Sequence, residues 1–164
     1  ANDFLPGGLT ADDMLKTAAL LEKAGVTAIE LSGGTLESGK LFPARPGTIC
    51  REAEGYYKED ARCFKENLRL PLILVGGFRS LDTAEFFLQE NVCDFIAMSR
   101  PLIREPDLIK RWKEGKTDPS SCQSDNLCFR TVRAGKGLYC LSKVREMKKN
   151  QEQGSHFLSP KAPS

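Results

Sequence analysis

Long apolar runs are missing from this chain. No stretch approaches the roughly 20 residues that cross a bilayer, so no membrane partner is expected. The first residues, Ala-Asn-Asp-Phe-Leu-Pro-Gly-Gly, lack the basic start and apolar run of a secretory signal, and a cytoplasmic location is expected. Net charge is also scarce. The formal value is +2, which gives no electrostatic case for nucleic acid or an anionic surface as partner. The one histidine, His156, lies in a polar tail and is expected to be neither ligand nor base. No Gly-x-Gly-x-x-Gly follows a predicted strand, which counts against a Rossmann domain. What is plentiful is ordinary: 40% hydrophobic and 28% charged residues over 164 positions, the composition of one globular domain. The six cysteines, Cys50, Cys63, Cys93, Cys122, Cys128 and Cys140, come without an export signal. They read as thiols or metal ligands rather than a disulfide framework.

Two stretches organise the rest. Leu72–Ser80 reads Leu-Ile-Leu-Val-Gly-Gly-Phe-Arg-Ser, and Asp94–Ile103 reads Asp-Phe-Ile-Ala-Met-Ser-Arg-Pro-Leu-Ile. Each starts as an apolar run of strand length and ends in small or basic residues. Runs apolar on both faces suit buried parallel strands, and ligands bind at the carboxyl ends of such strands. Gly76 and Gly77 let a ligand approach the backbone. Ser99 offers a hydroxyl and Arg100 a forked cation matched to phosphate oxygens. Ser80 is placed to cap the following helix, whose N-terminus would favour an anion. One Gly-Gly alone is as readily a tight turn; two such loops about two dozen residues apart describe a phosphate cradle.

In order, Thr10 reads as the N-cap of a helix that carries Met14, Ala18 and Leu21 inward and stops at Gly25. Val26–Leu31 is a strand ending in Ser32-Gly33-Gly34. Residues 35–53 are an irregular loop broken by Gly39, Pro43, Pro46 and Gly47, of the length that usually serves function. A helix from Tyr56 to Leu68 turns Ala61, Phe64 and Leu68 to the core. The strand at Leu72, a helix from Ser80 to Glu90 with Ala84, Phe87 and Leu88 inward, and the strand at Asp94 follow. A short helix starts at Pro101 and a longer one after Asp107. This alternation implies right-handed parallel crossovers. Three strands are too few to cover both faces of a sheet, so apolar surface is left for neighbours. Asp118–Ser121 reads as a linker, and after Leu141 the chain is basic and polar, a fraying helix and then disorder.

Taken together, these residues resemble the Old Yellow Enzyme family of flavin-dependent NAD(P)H oxidoreductases, which are (β/α)8 barrels. The matching pieces are Asn2-Asp3-Phe4 with Gly7–Thr10, Leu20–Val26, Ile29–Gly34, Glu54–Tyr57, Val75–Arg79 and Ser99–Ile103 with Glu105–Leu108. They come in the family's order at about its spacing, over roughly residues 1 to 141. The ordered set argues against a sugar-phosphate isomerase barrel, which the cradle alone would allow.

The resemblance implies a partial (β/α)8 TIM barrel, an α/β fold running from the end of strand five through helix eight over residues 1–117. Ala1 and Asn2 would close strand five. Val26–Leu31, Leu72–Val75 and Asp94–Met98 would be strands six to eight. It implies FMN as cofactor, with its phosphate held by Gly76, Gly77, Ser99 and Arg100, and with Phe78 and Arg79 as weaker candidates. NAD(P)H would be the electron donor and an activated alkene or similar acceptor the substrate. The family's catalytic and ring-contacting residues belong to the absent first half, so no catalytic residue is expected here and the chain alone should be inactive. The alternative is a non-catalytic half-barrel that docks on the missing half, another partner or a second copy of itself.

One branch of that family carries an iron–sulfur cluster after the last barrel helix, held by Cys-x2-Cys-x3-Cys and a fourth cysteine about a dozen residues on. Residues 118–141 resemble a degenerate version. Asp125 stands at the second ligand position, Cys128 comes one residue early, and Cys140 follows after eleven residues. Cys122, Cys128 and Cys140 are therefore weak metal candidates, and a cluster is not expected. Residues 142–164 are the basic tail.

Overall fold

The computed structural model describes residues 1–156, with side chains as far as Glu152. It divides into two compact units, Ala1–Asp125 and a second beginning at Asn126.

In the first unit, helix α1 (Ala11–Lys23) opens with a full capping box: the Thr10 hydroxyl accepts from Asp13 N–H, and the Asp13 carboxylate accepts from Thr10 N–H. Strand β1 is Ile29–Leu31, β2 Leu72–Leu74 and β3 Phe95–Ile96. They form one parallel sheet in the order β1-β2-β3, with Leu31 opposite Leu74 and Leu74 opposite Ile96. Helix α2 (Lys58–Asn67) links the first pair and α3 (Leu81–Gln89) the second. Short helices α4 (Arg100–Arg104) and α5 (Leu108–Lys113) follow. The expected element order is present, with each strand shorter than its apolar run. β1 and β3 each pair on one side only, so the ladder ends where partner backbone ends.

Leu72, Leu74, Ala61 and Phe64 have no exposed surface, and Tyr57 and Phe78 almost none. Of the expected core positions, Met14 and Leu68 are half-buried and two are exposed: Leu21 at 40% and Leu88 at 41%. Both belong to helices whose outer sides meet no further element of this unit. The β1 edge is the thinnest flank. Ala1 and Asn2 run beside it, the Ala1 amine donating to Ser32 O and Gly34 N–H to Asn2 O at 2.7 Å. A cavity of about 230 Å³ lies there between α1 and β1, lined by Met14, Leu21 and Phe64 among others. The loop over residues 35–53 contains two 3-10 turns, Gly39–Leu41 and Arg51–Ala53.

The stretch expected as a linker is fastened to the first unit. Glu105 accepts from Ser121 N–H at 2.6 Å, from both the Ser120 and Ser121 hydroxyls, and from Arg111. Trp112 Nε1 donates to Asp118 O, and Ser120 N–H to Arg79 O. The second unit pairs α6 (Leu127–Arg133) with α7 (Leu141–His156). The helix expected after Leu141 is present from Leu141 to His156. The side chain of His156 and all of residues 157–164 lie outside the described part of the chain. Among the described residues, no helix is long and apolar enough to cross a membrane.

Two carboxylates tie these elements together. Asp94 accepts from Lys65 Nζ through both oxygens at 2.8 Å and from Leu72 N–H at 2.7 Å, joining α2, β2 and the start of β3. Burial pushes its pKa up, but the Lys65 and Leu72 donors outweigh that and hold it below its ordinary 3.8. Burial likewise raises Glu105, and its serine donors and Arg111 bring it below its ordinary 4.5. A depressed carboxylate stabilises the fold fully above its unfolded pKa and ceases to do so as pH falls through its folded one. The thermal midpoint should therefore hold steady down to about pH 4.5 on account of these two groups and fall below it. In Asp94→Asn and Glu105→Gln variants, the midpoint should be lower at neutral pH and should fall less on acidification.

Candidate functional site

Because β2 and β3 are parallel neighbours, the loops that leave their carboxyl ends emerge at one edge of the sheet. Gly76 (φ +151°) and Gly77 (φ +78°) make the turn after β2. Gly76 O accepts from Gly55 N–H at 2.7 Å and from Tyr56 N–H at 3.3 Å, which brings the Glu54–Tyr57 segment over the turn. A Cβ on Gly77 would stand 2.7 Å from Thr48 Cγ2 and 2.9 Å from Tyr56 Cε1, so both the torsion and the space demand glycine.

Arg100, the first residue of α4, is buried, with Nη1 donating to Arg45 O at 2.9 Å. The Tyr56 hydroxyl donates to Pro43 O at 2.6 Å, and its oxygen lies within reach of the Arg100 guanidinium and the Arg45 backbone. Burial raises the Tyr56 pKa, opposed in part by Arg100. One tyrosine thus meets Gly77 with its ring edge and Arg100 with its hydroxyl. Ser99 is exposed beside them. Among the described residues, nothing accepts from the N–H groups of Gly77 and Phe78.

The remaining two predicted residues are turned elsewhere. The Phe78 side chain is a core group, edge-on to Phe87 at 5.1 Å. The Arg79 guanidinium is buried and donates to Thr48 O and Ser120 O, bracing the loop and the 118–121 stretch. The expected cap also differs. Ser80 occupies the N-cap of α3, but its hydroxyl makes no capping bond and instead donates to Glu54. The Glu54 carboxylate, only 3% exposed, also accepts from Arg79 N–H at 2.9 Å and Ser80 N–H at 3.1 Å. The anion that the start of α3 favours is thus supplied by the protein itself.

Glu54, Tyr56, Thr48 and Arg45 carry no local pattern that marks them for this site. The Glu54–Tyr57 motif is visible in the sequence, yet the partners of the Glu54 carboxylate, Arg79 and Ser80, lie 25 and 26 residues away in the chain. Arg45 and Thr48 belong to a loop with no periodicity to read. As for the thiols, Cys122 and Cys128 are buried and Cys140 half-buried, and among the described residues none forms a disulfide. Among the described residues, no three of His, Cys, Asp and Glu gather in a group that could hold a metal. Cys93 is buried, and that burial, with Asp94 beside it and Lys65 opposing, pushes its thiol up to about 11.

Residues 13–119 match the family model for the NADH:flavin oxidoreductase / NADH oxidase family. The chain belongs to this family. It is 31% identical over 166 aligned positions to a 4,4'-dithiodibutanoate disulfide reductase of Rhodococcus erythropolis, an alignment covering 82% of this chain and 40% of the relative. To an NADH oxidase of Thermoanaerobacter brockii it is 33% identical over 128 positions, covering 77% of this chain and 19% of that one. Among solved structures, a 2-naphthoyl-CoA reductase in complex with 2-naphthoyl-CoA superposes with a TM-score of 0.62 at 24% identity, over 74% of this chain and 18% of the other. This likeness shows the fold, and the small parallel sheet with its crossover helices is consistent with part of a barrel. The chain spans well under half the length of these relatives.

Proposed function

We propose that this chain supplies the flavin-phosphate side of an NAD(P)H:flavin oxidoreductase of the ene-reductase type, with residues 1–117 running from the end of barrel strand five through helix eight. Residues 118–141 would be an extension related to the family's cysteine segment, and 142–164 a polar tail. The observation that carries the reading is the meeting of Gly77 and Arg100 at Tyr56, at the carboxyl edge of β2 and β3. The donor set fits a phosphate: unpartnered amides at Gly77 and Phe78, the exposed Ser99 hydroxyl and a buried guanidinium. The amides and Ser99 would hold the oxyanion, and Arg100 would neutralise it. Glu54 would keep the turn in shape by closing the start of α3. A bound FMN would supply the hydride chemistry between NAD(P)H and an activated alkene or similar acceptor. Nothing in residues 1–117 is assigned to that transfer.

Binding and turnover should therefore separate. The purified chain should bind FMN, read as flavin fluorescence quenching. It should fail to reduce an enone with NADPH or NADH, in the presence of FMN. Robust turnover without a second polypeptide would refute the division of labour, and no flavin binding at all would refute the cradle. The open flank favours a covering partner, either the remaining barrel or a second copy: Leu9 is 63% exposed near β1 and Phe95 58% exposed on the edge strand β3. A clean monomer at high concentration in sedimentation would count against self-association.

A further inference from the structure

Arg45 is the one cation of the first unit whose surroundings are aromatic rather than anionic. Its guanidinium lies 4.3 Å from the centre of the Tyr56 ring, 5.4 Å from Tyr57 and 5.6 Å from Phe4. Its Nε is buried with no hydrogen-bond partner. Among the described residues, no carboxylate forms an ion pair with it; Asp60 is close enough only to feel its field. Three rings hold a guanidinium in place without consuming its hydrogen-bond donors, whereas a carboxylate partner would have consumed them.

Arg45 also lines a cavity of about 330 Å³, between the long loop and the start of α2, with Lys40, Thr48, Tyr56 and Lys58. Two acids share the wall. Glu54 is already engaged by Arg79 and Ser80, and Glu52, on the short 3-10 turn, is exposed. None of Gly76, Gly77, Ser99 and Arg100 is among the residues lining this cavity, while Thr48, Gly55 and Tyr56, which do line it, border the Gly76–Gly77 turn on their other side.

We infer that this cavity is a second oxyanion site, with Arg45 as the fixed fork and Lys40 and Lys58 as mobile charges at its mouth. Its ligand is the carboxylate or phosphate group of a reaction partner, carried either by the acceptor or by the dinucleotide that delivers hydride. The geometry supports binding and orientation at this position and assigns no chemistry to Arg45. Anion binding here stands on the site's own residues; only the naming of the ligand as a reaction partner rests on the proposed flavin function.

Calorimetric titration of the full chain with inorganic pyrophosphate and with succinate, each with and without saturating FMN, tests it. At least one anion should bind. Pyrophosphate preference would point to a phosphate-bearing partner and succinate preference to a carboxylate-bearing one. Arg45→Met should weaken that binding about tenfold and Lys58→Met less, because a fork at fixed geometry outweighs a solvated ammonium. FMN affinity should be unchanged in Lys58→Met. Absence of binding by both anions at millimolar concentration would overturn the inference. So would unchanged affinity in both variants, or displacement of the anion by FMN together with an equal loss of FMN affinity in Arg45→Met, which would make Arg45 part of the cradle. Lys58 is exposed, so its variant reads the site even if Arg45→Met does not fold. A chain that binds pyrophosphate but not FMN would leave this site standing and remove the flavin reading alone.

Discussion

Arg100→Ala should weaken FMN binding by about two orders of magnitude, since charge-assisted bonds from a buried guanidinium to a phosphate contribute about 3 kcal/mol and each 1.4 kcal/mol is a factor of ten. The guanidinium is buried, so little water stands ready to replace it, and its position is set by the Arg45 carbonyl and the Tyr56 hydroxyl rather than by ligand. Arg100→Lys keeps the charge but loses the planar fork, and an intermediate loss of about tenfold is expected. Flavin fluorescence titration of the three proteins, with circular dichroism to confirm folding, is the measurement. Equal affinities would show that the cradle does not hold the phosphate.

Glu54→Ala should be the most destabilising change at the site, lowering stability by about 3 kcal/mol through the exposure of unpaired buried donors. The Arg79 and Ser80 amides and the Ser80 hydroxyl would lose their common acceptor inside the protein. At this chain length that corresponds to roughly 10 °C in the thermal midpoint. Glu54→Gln keeps one acceptor oxygen but sets an NH2 against donors, and should fall between. The effect should reach the ligand as well: with the start of α3 released, the turn at Gly76 and Gly77 loses its brace, and FMN affinity should drop further than stability alone accounts for. Chemical denaturation and flavin titration on the same variants would read both. An unchanged midpoint in Glu54→Ala would mean that water reaches these amides, contrary to their burial.

The βα rhythm was legible because it is local. Thr10 caps α1, and Ala61, Phe64, Leu72 and Leu74 fall at helical or strand spacing and are buried. The Gly-Gly turn and the Ser-Arg pair were legible for a related reason: each is contiguous, and parallel crossovers bring the ends of successive strands to one edge. Strand length was less legible. Val26 is apolar, but the ladder starts at Ile29, where β2 supplies a partner. Leu88 has the right period on α3 yet no neighbour to meet.

The order of helices and strands, the parallel sheet and the turn at Gly76 and Gly77 follow from residue types and spacing, because backbone torsion and hydrophobic period act within a few residues. Tertiary structure alone decided the rest. The Arg79 side chain turned away to Thr48 and Ser120, Glu54 took the helix end that Ser80 and a phosphate were expected to share, Tyr56 came between Gly77 and Arg100, and Arg45 was left among aromatic rings. Each of these depends on groups far apart in the chain that meet only after the sheet has formed. A buried charge or amide is satisfied by whichever partner packing brings within about 3 Å, and no local pattern encodes that choice.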